Sequence, residues 1–456
     1  MAMTGDSEVG YNKPGDVDVR SFTLVSSSGQ VIEIEDLVLD FSIFQNLFEH
    51  YMTCEIVIND SVGLINTLKG DPDSNVQGGF GGLELLCISY RSNSDDLEWK
   101  NHIFSLYELS DRSKIAERSE AYILTGISIE AVTNASQKVH KSFGNGGGNK
   151  ISNMISSVMK EHFYNPVING LYYDLRTVCG FQVSKPPTID ETTGAHRYII
   201  PNLSVDDTID FFADESDSDD HIPYYVFYEN SHGFNYRNIG SLVQQEVKET
   251  FTYAIMNSDT VVGDAEKNYD RNKIMSFNVI KQANFLDNIE QGLYKTQSTH
   301  IDLLKKTKRV TNFDYEKHFD KFKTLQSLKI AGLIEKPSIS RLFTTDHGRD
   351  SDTNFQPEKP LPKTSNETAG HTDSYSTHIF NTMMEVTVPG DSEIDVGDVI
   401  YLSIPPSAIT EDQEDGEDKY LSGKYIVTKV RQKMLGNNGD TSTTIMECGK
   451  DTGIKV

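Results

Sequence analysis

"VPGDSEIDVGDVIYLSIP", residues 388–405, sets two tight turns immediately before a short apolar run. Pro389-Gly390-Asp391 is a turn triplet, because proline presets its own φ and glycine accepts the backbone that a sharp reversal demands. Val396-Gly397-Asp398 supplies a second bend just ahead of Val399, Ile400, Leu402 and Ile404. GKYIVTKVRQKM (423–434), opening on Gly423, reads as the partner strand, and the acidic ITEDQEDGEDKYLSG (409–423) as a long solvated loop between them. The closing part of the chain therefore reads as a β-barrel module.

Working outward, the same period of two recurs near the start. Met52, Cys54, Ile56 and Ile58 alternate with Thr53, Glu55, Val57 and Asn59, which puts one mostly apolar face on a strand. VIEIEDLVLDF (31–41), LELLCISY (83–90) and AYILTGISIEAV (121–132) alternate similarly between Gly- and Ser-rich turns, predicting an antiparallel barrel or sandwich.

The pattern changes at FGNGGGNK (143–150). Ile151, Met154, Ile155, Val158, Met159 and Phe163 then share a helical stripe, with Asn149 as the expected N-cap and Asn165-Pro166 as the stop. Ser204 and Asp207 resemble a capping box ahead of Val205, Ile209 and Phe212. YYVFYENSHGFNYRN (224–238) reads as a hairpin, IMSFNVIK (274–281) as a strand, and Leu286, Ile289 and Leu293 as a helical stripe capped by Asn284. THIDLL (299–304) is a further strand. Residues 346–374 are polar and without period, predicting a linker or long loop. Strands return in IFNTMMEVTVPG (379–390) and STTIMEC (442–448).

Composition narrows the class. The 456 residues predict about three domains. With 37% hydrophobic residues, 21 Tyr, 22 Phe and a mean hydropathy of −0.44, the chain is polar yet aromatic, which suits many short strands with a wet face. Its net charge of −26 and pI near 4.8 disfavour capture of a phosphate backbone, while leaving room for nucleic acid to pass without sticking. The four cysteines, Cys54, Cys87, Cys179 and Cys448, are widely spaced and predict folding in a reducing compartment. No secretion signal opens the sequence and no run of about 18 apolar residues occurs, so membrane insertion is not expected.

Candidate chemistry fails on detail. GNGGGNK lacks the second glycine and the Ser or Thr of a phosphate loop, since Asn149 and Ile151 stand there. The run Asp214 to Asp220 has no internal glycine for a calcium loop, and GDPDSN (70–75) puts Val76 where that glycine belongs. His371 and His378, seven apart, and His347 form no zinc pattern. There is no GxSxG elbow, and 68 acids offer no way to choose a glycosidase pair. The basic KKTKR (305–309) reads as the exposed end of a strand, or a contact for an acidic partner.

The order PGD-x-x-I-x-V-GD-V-I-x-L-x-IP, SGKYIVTKV and TSTTIMECGKD resembles the closing barrel of baseplate central hub proteins from T-even-like contractile-tailed phages, and more distantly the hub part of type VI secretion spike proteins. Gly390, Asp391, Gly397, Asp398 and Gly423, with Tyr425, carry the match as structural turns. GLINTLKGDPDSNVQGGFGGLELLCISY (63–90), KISNMISSVMKEHF (150–163), the 224–238 hairpin and LYKTQSTHIDLLKKTKRVTNFDY (293–315) come in the order such hubs show, so the likeness covers most of the chain. Residues 410–419 and 346–374 have no counterpart.

The resemblance implies a mainly β (α+β) fold with two antiparallel, tube-like β-barrels around a helix-containing α/β region. Its divisions would be a flexible arm at 1–19, a first barrel at 20–135, an α/β domain at 136–222, the second barrel from 223–304 and 375–456, and an insertion or linker at 305–374. It implies a non-enzymatic homotrimer in the virion baseplate, assembled in the host cytoplasm, without cofactor or metal. Partners would be tail tube or tube-initiator proteins, a trimeric spike protein, tape measure and baseplate wedge proteins, with DNA only in transit. A tail-carried cell-wall hydrolase and a secretion-spike hub are the alternative readings.

Overall fold

The computed structural model describes the chain except residues 1–14, 27–28, 69–78, 83, 93–97, 145–147, 182, 184, 221, 254–271, 283, 303–305, 327–328, 331–335, 346–364, 392, 407–415, 436–440 and 452–456. The fold is mainly β with several sheets. Strands β1 (Val17–Val25), β2 (Val31–Glu33), β3 (Val38–Asn46), β4 (Thr53–Asp60), β5 (Leu85–Ser92), β6 (Lys100–Ala116) and β7 (Ser119–Ser128) lie in the order β3-β4-β7-β6-β5-β1-β2. In β4, Cys54, Ile56 and Ile58 are buried while Glu55 is exposed, as the alternation requires. Two expected strands are cut short. A 3-10 turn at Glu35–Leu37 separates β2 from β3, and Ile129–Asn134 is a helix, where the sequence predicted that the strand ran on to Val132.

The middle of the chain packs helices Ile151–His162, Pro166–Cys179 and Val205–Glu215 with β8 (Lys138–Phe143), β9 (Thr188–Ile189), β10 (Tyr198–Ser204), β11 (Tyr225–Asn230) and β12 (Gly233–Asn238). The expected stripe and hairpin are present: Ile155, Val158, Phe163, Ile209, Phe212, Phe227 and Phe234 share one core. The capping differs. Lys150, not Asn149, occupies the N-cap position of Ile151–His162. Asn165-Pro166 starts the next helix instead of ending the chain's helical stretch: Asn165 accepts from the Ile168 N–H at 2.9 Å, and proline suits the first turn, where its missing N–H is not needed. Ser204 caps as expected, accepting from the Asp207 N–H at 3.0 Å.

The remaining strands are β13 (Glu249–Thr252), β14 (Ser276–Lys281), β15 (Lys295–Asp302), β16 (Thr307–Asp314), β17 (Ile339–Thr345), β18 (Thr382–Pro389), β19 (Val399–Ser403), β20 (Gly423–Leu435) and β21 (Thr441–Lys450). The order β14-β18-β21-β20 continues through β3 into the first seven strands, with β13 and β19 branching from β20, so thirteen strands form one continuous sheet. The seam is β3 on β20, from Asn46 opposite Lys429 to Asp40 opposite Leu435. Side chains cross it in both directions: Met434 of β20 lies in the core of the first half-sheet, and Leu47, just past β3, lies in the core of the second. The pairing is not purely antiparallel, because β13 runs parallel to β19, β9 to β12 and β17 to β15.

β15 forms a separate small sheet with β16 and β17. Helix Ser365–Ile379 packs there, with Gly370 seated against Thr296 and Phe313, so the aperiodic 346–374 stretch is helical from residue 365. In KKTKR, Lys306 sits in the turn before β16 and Lys308 is exposed on it. Among the described residues no helix is long and apolar enough to cross a membrane.

Candidate functional site

The loop between β18 and β19, residues 390–398, is where both halves of the large sheet and the middle region meet. Each turn residue predicted from the sequence has a definite seat in it or beside it. The Gly390 N–H donates to the Ser442 carbonyl at 2.9 Å, and a Cβ on Gly390 would land on the Ser442 side chain. The Asp391 N–H donates to Thr444 Oγ1 at 2.9 Å, and its carboxylate accepts the Glu393 N–H at 2.9 Å, which closes the first bend.

Gly397 has φ of +87°, a backbone that suits glycine, and a Cβ there would stand 2.6 Å from the Tyr228 hydroxyl. Its N–H donates to the Val427 carbonyl and the Val427 N–H to the Asp398 carbonyl, both at 2.9 Å, pinning the second bend onto β20. Asp398 Oδ2 accepts from the Asp395 N–H and from Lys248 Nζ, both at 2.8 Å. Burial pushes the Asp398 carboxyl up against the pull of Lys248; the Lys248 ammonium, though burial opposes its charge, is raised by Asp398. Gly423 stands apart from this loop, opposite Leu402 at the start of β20 and beside Gln326.

The residues that these turns aim at carry no local sequence signal. Asp395, 1% exposed, accepts from Gln45 Nε2 of β3 at 2.7 Å and from the Ser231 hydroxyl of the β11–β12 turn at 2.5 Å. Gln45 Oε1 in turn accepts the Val396 N–H at 3.1 Å. Lys100 of β6 faces Glu393 at 3.5 Å and Ser231 at 3.4 Å. Tyr90 of β5 donates to Gln432 of β20, and Ser92 donates to the Gly390 carbonyl at 3.3 Å. A cavity of about 10 Å³, the size of one water molecule, lies beside Tyr90, Asp391, Gln432 and Thr444.

A buried ionic cluster makes a second tie between the first half-sheet and the middle region. Lys185 Nζ lies 2.6 Å from Glu229 of β11 and 3.1 Å from Glu130 of helix Ile129–Asn134, all three 9% exposed or less. Glu229 Oε2 also accepts from the Met52 N–H at 3.0 Å and from the Ser128 hydroxyl, so both carboxylate oxygens have partners. Burial raises the Glu229 carboxyl, and Lys185 opposes that rise. Nearby His102, stacked between Tyr90 and Phe104, is held near 3 by burial and by the Lys185 charge, so it is neutral. At the rim, His50 Nε2 meets Asp210 at 2.8 Å and the Tyr51 hydroxyl donates to Asp206 at 2.7 Å.

The expected acidic loop is partly tied down. Glu417 accepts from the Tyr401 hydroxyl at 2.8 Å and from Ser403 at 2.6 Å; residues 407–415, GDPDSN and the centre of GNGGGNK lie outside the described residues. Among the described residues no group of three or more His, Cys, Asp or Glu is placed to hold a metal ion. Wide spacing in the sequence does not keep all four cysteines apart: Cys87 and Cys179 are joined by a disulfide, because the fold brings β5 under the end of helix Pro166–Cys179. Cys54 and Cys448 are free and buried. What the site does chemically is fasten: buried donors face buried acceptors from three parts of the chain.

No protein-family model and no curated protein matches this sequence. Solved structures do. The 43 kDa tail protein of prophage MuSo2 from Shewanella oneidensis has a TM-score of 0.50 at 7% identity, covering 96% of this chain and 100% of its own. The tail protein from Neisseria meningitidis MC58 gives 0.49 at 7% identity, with 94% and 96% covered. An Escherichia coli component of the type VI secretion system, described as similar in structure to T4 bacteriophage tail proteins, gives 0.41 at 7% identity, with 96% and 79% covered. Over nearly its whole length, and in fold, the chain is thus similar to a phage tail protein, that of prophage MuSo2.

Proposed function

We propose that this protein is a structural component of a phage tail baseplate: a homotrimeric central hub that adapts a sixfold tail tube to a threefold spike and surrounds part of the DNA passage. The observation that carries the reading is the end-to-end likeness in fold to a tail protein of similar size. Two related barrels per subunit, as the resemblance implies, would let three subunits present six comparable faces to the tube.

The joint described above supports a mechanical role. Its hydrogen bonds tie the two half-sheets and the middle region to one loop, as a part that transmits load requires. The β6–β7 hairpin supports a ring as well. Its outer part, from Tyr107 to Ala116, is largely exposed, with Tyr107 at 49% and Ile115 at 61%, which offers a neighbouring subunit an apolar and charged arm. A trimer would carry three times the −26 charge of one chain, so an acidic lumen would repel passing DNA and not trap it. Gly390, Asp391, Gly397, Asp398 and Gly423 act in this reading as structural turns. The remaining partners are a trimeric spike protein, tube or tube-initiator proteins, and tape measure and wedge proteins.

Light scattering behind a sizing column tests the proposal. The expected mass is three times 51.1 kDa, for the protein alone or with a spike protein added. A monomer under every condition overturns the hub, and release of sugar from purified cell wall would put a hydrolase in its place.

A further inference from the structure

Period two along β5 sends Leu86 and Ile88 into the core of the first half-sheet and Cys87 to the opposite face. There Cys87 joins a small apolar cluster with Val25, Ile103, Ile129, Leu175 and Phe181, and is bonded to Cys179 with the Cα atoms 6.0 Å apart. Cys179 is the last residue of helix Pro166–Cys179. Among its described side chains, that helix has a narrow buried stripe. Ile168, Leu175 and Cys179 are buried and Leu171 is half-buried, whereas Asn169, Gly170, Asp174, Arg176 and Thr177 are exposed and Val178 is 39% exposed. Among the described side chains, a few apolar ones and one covalent bond thus hold its C-terminal half to the sheet.

We propose that the Cys87–Cys179 bond is a redox-operated latch: closed, it fixes the helix on the outer face of the first half-sheet, and reduced, it lets the C-terminal half of that helix open while the sheets stay folded. The other two cysteines take no part. Cys54 and Cys448 are fully buried in separate cores, where burial pushes both thiols up and keeps them protonated and unreactive. The latch closes by thiol–disulfide exchange with a small disulfide such as oxidised glutathione. One cysteine thiolate attacks a glutathione sulfur and releases glutathione thiolate; the second cysteine thiolate attacks the mixed disulfide and releases another. The two cysteines lose two electrons in total, which reduce one glutathione disulfide to two thiols. The two cysteine protons pass to the glutathione leaving groups.

The test uses the full chain, oxidised with glutathione disulfide or reduced with dithiothreitol. Alkylation with iodoacetamide in denaturant, followed by mass measurement, should count two thiols in the oxidised protein and four in the reduced one. Limited trypsin digestion then reads the latch through Arg176, which is exposed but helical. Reduction should speed cleavage after Arg176 by about tenfold or more, as expected when a local opening becomes cheaper than global unfolding. Cys179→Ser should cleave fast under both conditions and Cys54→Ala should behave as the parent protein. Four alkylated thiols after oxidation, or a cleavage rate unchanged by reduction, overturns the proposal. The oxidised and reduced parent proteins decide it even where a variant does not fold.

Discussion

Gln45 and Asp395 are 350 positions apart and meet in a buried 2.7 Å hydrogen bond, with Gln45 also accepting the Val396 N–H. One side chain from β3 thus reads both a side chain and the backbone of the loop that ends β18. The pair is expected to couple. Gln45→Ala and Asp395→Ala should each destabilise by about 1–3 kcal/mol because each leaves a buried polar partner unmet. A double-mutant cycle in urea should return a coupling of about 1–2 kcal/mol. Strict additivity of the two losses would show that the bond does not hold the joint.

Lys185→Met should be among the most damaging single changes, costing about 3–5 kcal/mol, because Glu130 and Glu229 would stay buried without their cation. Replacing all three with Met or Leu should recover part of that loss, since no charge is left to desolvate but the Met52 N–H loses its carboxylate acceptor. Chemical denaturation of the single and triple variants checks the order.

Gly390→Ala forces a methyl onto Ser442 and should cost about 1–3 kcal/mol. Ser442→Gly placed in the same chain should return part of it by removing the hydroxyl in the way. Thermal melting of the two proteins compares them directly.

His50 gives a pH signature. Burial alone would lower it, but hydrogen bonds to Asp206 and Asp210 raise it to about 9, above its ordinary 6.5. A folded-state value above the unfolded one means that the protonated ring stabilises the fold. That contribution is fully present below about 6.5 and is lost as pH rises through about 9. With both aspartates substantially exposed, solvent screening limits it to about 1 kcal/mol. Urea midpoints at pH 6 and pH 9.5 should differ in the parent protein and converge in His50→Ala once other groups are subtracted. An equal pH dependence in both would remove His50 as its source.

Much of the fold is legible locally. Cys54, Ile56 and Ile58 announce β4, and Ser204 with Asp207 announces a helix start, because these signals depend on neighbours two to four residues away. Several helices escape, three of them for clear physical reasons. Ile129–Asn134 continues an alternation that fits a strand equally well. Asn165-Pro166 both stops and starts helices, and here it starts one. Ser365–Ile379 is polar almost throughout, with Ser374 and His378 buried by tertiary packing and not by their own chemistry. The joint is half legible: its turns stand in PGD and VGD, but Gln45, Ser231 and Lys185 belong to no pattern, since only the folded chain brings them near. The same holds for Cys87 and Cys179, 92 residues apart.

The pairing of β3 with β20 also dictates when this protein can finish folding. As synthesis proceeds, residues 38–46 emerge early, yet the strand that covers their open edge ends at Leu435. Throughout most of translation the nascent first half-sheet exposes an unpaired strand edge and lacks the Met434 that completes its core. Until residues 429–435 leave the ribosome, that edge is a template for any neighbouring chain on the same message, so shielding it over that whole interval favours folding over aggregation.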